Sequence, residues 1–201
     1  MSIDPENVQA LVVGIENYEW CKDLKGPASD ALKFVTWLLG KGVQPPSIKL
    51  CLSLVDDDRG RGIQKAAEDK GVQVKSATRE HIETVINHDF HDQGGPNKLL
   101  HVFWAGHGFI TKTHRTVRRL WYSDSNEKNK WNLNLESLLQ ALQTSENASA
   151  LFPTQIFFID ACADIYFTNK LYKTLDAESR GSTFHATGVP TNSRGVAKQY
   201  T

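Results

Sequence analysis

The sequence lacks the features that mark membrane, secreted and nucleic-acid-binding proteins. Its longest apolar runs, such as LFPTQIFFI, fall far short of the ~20 residues that a membrane-spanning helix needs. Its start, MSIDPENVQ, has neither the basic nor the apolar part of a signal peptide. Lysine plus arginine (23) balance aspartate plus glutamate (23), so no excess charge attracts nucleic acid or an acidic membrane. We therefore expect a cytoplasmic protein with neither kind of partner.

Cysteine is scarce as well. Cys21, Cys51 and Cys162 are odd in number and show no CxxC spacing, which argues against a disulfide framework and against a cysteine zinc site. Each cysteine is then either small apolar filler or a nucleophile. We assign Cys21 and Cys51 to packing.

Short apolar runs alternate with segments of helical period, a pattern typical of an α/β sheet with helices on both faces. We predict strands at residues 9–15, 48–55, 99–105 and 154–160, and helices at 27–39, after Thr78 and after Asn134. Since helices separate the strands, the sheet should be mainly parallel, and ligands should bind at the edge where its strands end. No repeat or linker divides residues 1–201, which we treat as a single domain. Beyond Cys162 we predict only a helix at 165–175, a short strand at 182–187 and a tail without periodicity.

Two reactive side chains directly follow two of these strands. His107 lies in AGHGF after the third strand, and Cys162 ends DAC after the fourth. A thiol needs a base to become a thiolate, and its reaction needs an acid to protonate a departing amine; one histidine can serve as both. Glycines on both sides of His107 leave room for a substrate backbone. Taken singly, each side chain has a structural alternative, as a small core cysteine or a structural histidine, but their joint position favours a catalytic pair.

The ordered segments around this pair resemble the caspase and metacaspase superfamily. The resemblance rests on LVVGIENY, LKGPASDALKFVTWLL, ATREHIETVI, the strand followed by HG and the strand followed by DAC, within residues 8–165. It implies a caspase-like three-layer α/β sandwich and peptide-bond cleavage by a Cys-His dyad without an organic cofactor. Cys162 would be the nucleophile, His107 the acid/base, and the N–H groups of Gly108 and Cys162 the oxyanion donors.

The same resemblance implies that a small-subunit segment, or a separate chain, completes the sheet and part of the substrate cleft. We expect the chain to be the large-subunit part of such an enzyme. An arginine- or lysine-directed zymogen could then be activated by cutting itself after Cys162, with Arg180 as the preferred site. Microbial cell death or defence is the role that the family suggests.

Two aspartates bear on specificity. Asp160 stands two residues before Cys162, where metacaspases carry an acid, and Asp30 matches the acidic position of their helix-opening motif, although Pro27 and Ser29 replace that motif's Cys and Asn. By resemblance, the two carboxylates line a pocket for arginine or lysine. The alternatives are an exposed acid in the first turn of a helix for Asp30 and a strand-end turn residue for Asp160.

Other charged segments carry less information. Some metacaspases use acidic loops for Ca²⁺, but the triplet at residues 56–58 lacks the spaced ligands and the turn glycine of a calcium loop, so we interpret it as solvated and predict no metal site. We interpret the basic residues after His107 as a surface loop; they are Lys112, Arg115, Arg118 and Arg119.

The competing function is a non-catalytic pseudoprotease or adaptor that binds a partner protein. A flavodoxin-like nucleotide domain is disfavoured, because IENYEW follows the first strand where a glycine-rich phosphate loop would stand.

Overall fold

A six-stranded sheet forms the centre of the structure. The computed structural model describes residues 4–95, 97–110, 117–143, 152–161 and 199–200. Their strands are β1 (Val8–Ile15), β2 (Ile48–Ser53), β3 (Val74–Ser76), β4 (Leu99–Gly106), β5 (Gly108–Ile110), β6 (Arg118–Trp121), β7 (Asn132–Asn134), β8 (Thr154–Ala161) and β9 (Gln199–Tyr200). The main sheet has the order β3-β2-β1-β4-β8-β9, in which the first five strands are parallel and β9 is antiparallel to β8.

The helices lie on both faces of this sheet. They are α1 (Pro27–Gly40), α2 (Asp58–Glu68), α3 (Arg79–Thr84), α4 (Phe90–Gln93) and α5 (Leu135–Gln143), with a π-helical turn at Val85–Asp89 between α3 and α4. Short 3-10 turns precede β1 and β2 at Pro5–Asn7 and Pro45–Ser47. The predicted mainly parallel α/β sandwich is therefore confirmed.

The core consists of two apolar clusters separated by the sheet. Every residue of β1 is buried, because its side chains alternate between the two clusters: Ala10 and Val12 face α1 and α2, whereas Leu11 and Val13 face α3, α4 and α5. A central parallel strand covered on both faces has no polar side, which explains why its sequence is apolar throughout except at Gln9.

The ends of two helices follow the sequence signals. After α1, the Val43 N–H bonds to Leu38 O and the Gly42 N–H to Leu39 O, with Gly42 at φ 89°, the Schellman arrangement that favours glycine. Asn134 caps α5 by accepting from the N–H groups of Glu136 and Ser137.

Thr78 also stands at an N-cap position, before α3, but its side chain makes no capping bond. The Arg79 N–H is instead satisfied by Asp124 Oδ1 at 2.9 Å.

The second strand and the acidic triplet differ from the expectation. The strand ends at Ser53 instead of residue 55, and α2 and β3, which the sequence analysis did not predict, follow it. All three aspartates are exposed, as expected, but they have structural roles: Asp57 caps α2 by accepting from the Gly60 N–H at 2.7 Å, and Asp56 and Asp58 pair with Arg61. Among the residues that the structure describes, no group of three or more His, Cys, Asp or Glu side chains could hold a metal ion.

A second, three-stranded antiparallel sheet, of order β5-β6-β7, lies directly after β4. Arg118 and Arg119 belong to its middle strand, and Arg119 is buried, with its Nη1 donating to Asn132 Oδ1 at 3.0 Å. The prediction of a basic surface loop was therefore wrong for these two arginines; Lys112 and Arg115 lie outside the described residues.

The predicted features at residues 165–175 and 182–187, together with Arg180, also lie outside the described residues. The tail, expected to have no periodicity, contains β9, which pairs with Gln155 and Ile156 of β8. Within the described part of the chain, no helix is long and apolar enough to span a membrane.

Candidate active site

His107 lies at the middle of the sheet edge where the parallel strands end. It follows β4, which has β1 on one side and β8 on the other. The register pairs Gly106 of β4 with Ala161 of β8, and these residues immediately precede His107 and Cys162 in the chain. Cys162 itself lies outside the described residues.

The His107 ring is held by a backbone carbonyl. Its Nε2 lies 2.8 Å from Lys22 O, and because a carbonyl oxygen only accepts, Nε2 must carry the proton in this bond. In the neutral ring, Nδ1 is then the nitrogen with the free lone pair. This tautomer leaves a base on one side of the ring and a bound proton on the other.

The backbone of His107 is held on both sides as well. Its N–H donates to Tyr18 Oη at 2.7 Å, and its carbonyl oxygen accepts from the Trp121 N–H at 3.1 Å. The ring of Tyr18 also packs against the imidazole, with the ring centres 4.9 Å apart. Tyr18 is buried, and burial raises the pKa of its hydroxyl well above the ordinary value, so it remains protonated.

The two glycines beside His107 have different roles. A Cβ on Gly106 would lie 2.5 Å from Tyr18 Oη, so position 106 needs glycine to make space for the tyrosine hydroxyl. The sequence analysis had instead expected this glycine to leave room for a substrate backbone. The Trp121 bond to His107 O makes Gly108 and Leu120 a non-hydrogen-bonded pair of the antiparallel ladder. The Gly108 N–H therefore points away from β6, as an oxyanion donor requires.

Two cysteines in the described residues are poor nucleophiles. Cys51 is fully buried, and burial raises the pKa of its thiol to about 12. Cys21 is half-buried, and burial raises the pKa of its thiol to about 11. Both remain thiols at neutral pH, in agreement with the packing role predicted for them.

Asp30 and Asp160 lie at the same edge and on the same face of the sheet. Asp30 is in the first turn of α1, which packs on Gly14, and Gly14 shares its register row with Ala105 and Asp160. Strand alternation places Asp160 on the face of Phe158, whose ring lies 5.2 Å from that of Phe34 in α1.

The two aspartates differ in their surroundings. Asp160 is exposed, whereas Asp30 pairs with Lys33 at 2.8 Å, as an acid in the first turn of a helix often does. The acidic pocket stays a prediction.

Sequence analysis missed the residues that position His107. Tyr18 was visible only as part of the LVVGIENY segment, and Lys22 acts through its carbonyl oxygen, which no side-chain pattern reveals. Glu16, in the same segment, was also not singled out.

Two comparisons with known proteins bear on the family of this chain. A family model of the caspase domain matches residues 8–197. A probable protease from a Desulfuromonadales bacterium is 31% identical over 165 residues, which cover 78% of this chain and 18% of the relative. The chain thus spans less than a fifth of the length of that relative.

Proposed function

The chain belongs to the caspase-domain family of peptidases, and from that premise we propose that it is a cysteine endopeptidase in which His107 and Cys162 cleave peptide bonds after arginine or lysine. The observation that carries the proposal is the register of β4 and β8, which aligns the residues just before His107 and Cys162. A histidine held in one tautomer at this edge is the second support.

The proposed reaction begins with a proton transfer. His107 Nδ1 takes the proton of the Cys162 thiol, and the thiolate attacks the scissile carbonyl carbon. The negative charge that develops on the carbonyl oxygen is stabilised by the N–H groups of Gly108 and Cys162. Lys22 O accepts from Nε2 throughout and so stabilises the imidazolium.

The tetrahedral intermediate then collapses. The C–N bond breaks, His107 donates its Nδ1 proton to the leaving amine, and Cys162 remains as a thioester. Water then attacks the thioester while His107 Nδ1 takes its proton. The C–S bond breaks, the carboxylic acid leaves, and His107 returns the proton to the Cys162 thiolate. The reaction needs no cofactor, since the two side chains supply nucleophile, base and acid.

Arginine or lysine selectivity follows from two carboxylates on one face of the sheet edge. A guanidinium or ammonium group can pair with Asp160 and Asp30, whereas an aspartate side chain would add like charge. Asp30 would have to exchange its pairing with Lys33 for one with the substrate. Exchange of such an exposed pair costs little, because surface ion pairs contribute about 0–1 kcal/mol.

Substitution of the proposed dyad tests the catalytic part. Cys162→Ala and His107→Ala should each abolish hydrolysis of arginine and lysine peptides, and His88→Ala, an exposed histidine, is the matched control. A peptide chloromethyl ketone should label Cys162 in the wild type, as located by mass spectrometry, and leave Cys21 and Cys51 unlabelled. Full activity in Cys162→Ala would refute the dyad, and absence of any activity in the wild type would favour the adaptor function.

A separate experiment tests the proposed selectivity for arginine and lysine. Asp160→Asn and Asp30→Asn should each lower kcat/KM for arginine peptides by about tenfold or more, the loss of one charge-assisted hydrogen bond. Asp56→Asn is the control, because Asp56 is exposed and lies in the turn before α2. Cleavage after aspartate by the wild type would refute the acidic pocket.

Completion of the fold by a small-subunit segment or second chain, and activation by self-cleavage, belong to the same proposal. Intact masses of wild type and Cys162→Ala test the cleavage, for which Arg180 is the expected site. Identical fragment patterns in the two proteins would exclude self-processing.

A further inference from the structure

An ion pair with a buried carboxylate lies at the base of the segment that holds His107. Glu16, the residue after β1, has a side chain with no solvent exposure, and its two carboxylate oxygens accept from Arg59 Nη1 at 2.9 Å and Nη2 at 2.6 Å. Glu16 Oε1 also accepts from the N–H groups of Gly26 and Ala28, at 2.9 and 3.3 Å. Burial alone would raise the pKa of Glu16, but the Arg59 guanidinium and these N–H groups lower it below the ordinary value.

Glu16 closes the segment of residues 17–25 at both ends. Its backbone carbonyl accepts from the Leu24 N–H at 2.8 Å, and its carboxylate holds Gly26 and Ala28 at the start of α1. Its own N–H donates to Ser53 O at 2.9 Å, which ties the start of the segment to the end of β2. Glu16 therefore holds both ends of the segment, which forms a closed loop that we call the 17–25 loop.

The 17–25 loop carries both groups that orient His107. The hydroxyl of Tyr18 accepts from the His107 N–H, and the carbonyl oxygen of Lys22 accepts from Nε2. Within the loop, the Tyr18 N–H lies 3.4 Å from Asp23 Oδ1, a weak link. The first half of the loop is also held by the Ser53 hydroxyl, which donates to Asn17 O at 2.6 Å, and by the Glu19 N–H, which donates to Ser123 O at 3.2 Å. After Lys22, the next restraints along the chain are the bonds that Glu16 accepts from Leu24, Gly26 and Ala28, so the placement of Lys22 O depends on them.

We propose that Glu16 and Arg59 are positioning residues for His107: the bidentate pair fixes the 17–25 loop, and the loop holds the imidazole in the tautomer with the proton on Nε2. The proposal rests on the function proposed above for its catalytic consequence. The carboxylate can remain buried at this position because its two oxygens accept from both the guanidinium and the N–H groups at the start of α1.

Loss of the pair should affect the chemical step more than substrate binding. If the loop loosens, Lys22 O leaves Nε2 and the proton can move to Nδ1, the nitrogen that must take the thiol proton. Misplacement by about 1 Å can cost up to 100-fold in rate, so Arg59→Ala and Glu16→Gln should lower kcat by about tenfold or more, with KM within about twofold of the wild type.

Arg61→Ala is the matched control. Arg61 lies two residues further along α2 and pairs with exposed Asp56 and Asp58 instead of Glu16. Arg61→Ala should leave kcat and KM unchanged. Arg59→Lys, which keeps the charge but loses the bidentate contact, should restore part of the activity.

Two further measurements separate positioning from mere stability. In Glu16→Gln combined with Arg59→Ala, no buried charge is left alone, so the unfolding midpoint should recover relative to Arg59→Ala while kcat stays low. The ring ¹⁵N resonances of His107, assigned by comparison with His107→Ala, should report the Nε2–H tautomer in the wild type and a mixture in Arg59→Ala.

The NMR measurement needs no activity, so the two proposals fail separately. A wild type without peptidase activity whose His107 tautomer still changes in Arg59→Ala would refute the function and support the positioning role. Wild-type tautomer and wild-type kcat in a folded Arg59→Ala would overturn the positioning role. Arg59 is 40% exposed, so its truncation leaves little cavity, and this variant decides the matter even if Glu16→Gln does not fold.

Discussion

The contact between Gly106 and Tyr18 predicts that two substitutions will be strongly coupled. In Gly106→Ala the new Cβ would lie 2.5 Å from Tyr18 Oη, closer than the 3.0 Å that real Cβ contacts respect, whereas the next neighbours, Ile15 Cβ and Trp104 Nε1, are at 3.4 and 3.6 Å. The collision therefore involves essentially one atom. Tyr18 is only 5% exposed, so its ring cannot swing freely out of the way.

The magnitudes follow from these contacts. Overpacking of this kind costs about 1–3 kcal/mol. Tyr18→Phe removes the acceptor of the His107 N–H, and a buried donor left without a partner costs about 1–3 kcal/mol. In the double variant the phenyl ring leaves space for the Cβ, so the total loss should be smaller than the sum of the single losses by about 1 kcal/mol or more. The backbone cost of alanine at φ 159° is common to both alanine variants and cancels.

The assay is urea unfolding of the wild type, the two single variants and the double variant. The free energy of unfolding must depend on urea concentration with the same slope in all four proteins for the comparison to hold. Peptidase activity adds a second readout: Gly106→Ala should lose activity because the displaced tyrosine no longer holds the backbone of His107, and the double variant should regain stability without regaining full activity. Free-energy losses that add to within about 0.5 kcal/mol would refute the proposed contact.

Two further predictions concern stability. Gly60→Ala should destabilise the protein by about 1–3 kcal/mol or prevent folding, because a Cβ there would lie 2.2 Å from Val55 O. Gly62→Ala should instead stabilise α2 by about 0.5–1 kcal/mol, because a Cβ there would have nothing within 4 Å. Urea midpoints in the opposite order would contradict this prediction. Burial lowers the pKa of His101 to about 4, so between pH 6.5 and 4 the unfolded chain binds a proton that the folded chain does not. The free energy of unfolding should therefore decrease by up to about 3 kcal/mol as the pH is lowered through this range. His101→Phe should remove that loss, and the same pH slope of the urea midpoint in both proteins would show that His101 is not its source.

The main sheet and the location of the site were accessible from sequence because both depend on local pattern. The strands β1, β4 and β8 have eight residues each and contain the apolar stretches ALVVGI, VFWAG and IFFI, which are long enough to be recognised, and the parallel crossover rule brings the ends of these strands to one edge. That rule is why His107 and Cys162 could be predicted to follow strands that end at one edge. That the two strands are neighbours came from the structure, in which Gly106 pairs with Ala161.

Short or polar elements were not predicted from the sequence, because their stability comes from tertiary contacts. The strands β3, β5 and β7 have three residues each, and β6 reads RRLW, which resembles an exposed basic segment until Asn132 and the neighbouring strands bury Arg119. The helix α2 contains two glycines, which disfavour a helix by propensity, but Asp57 caps it and Ile63 and Ala67 pack into the core.

The orientation of His107 was decided by tertiary structure alone. Its ring bonds to Lys22 O, a backbone atom that every residue type possesses, and its N–H bonds to Tyr18, 89 positions away in the chain. Glu16 looks like a surface residue in a sequence, since a carboxylate is rarely buried without a partner. Only the fold supplies that partner, by bringing Arg59 of α2 to the end of β1, where the guanidinium offsets the cost of removing the charge from water.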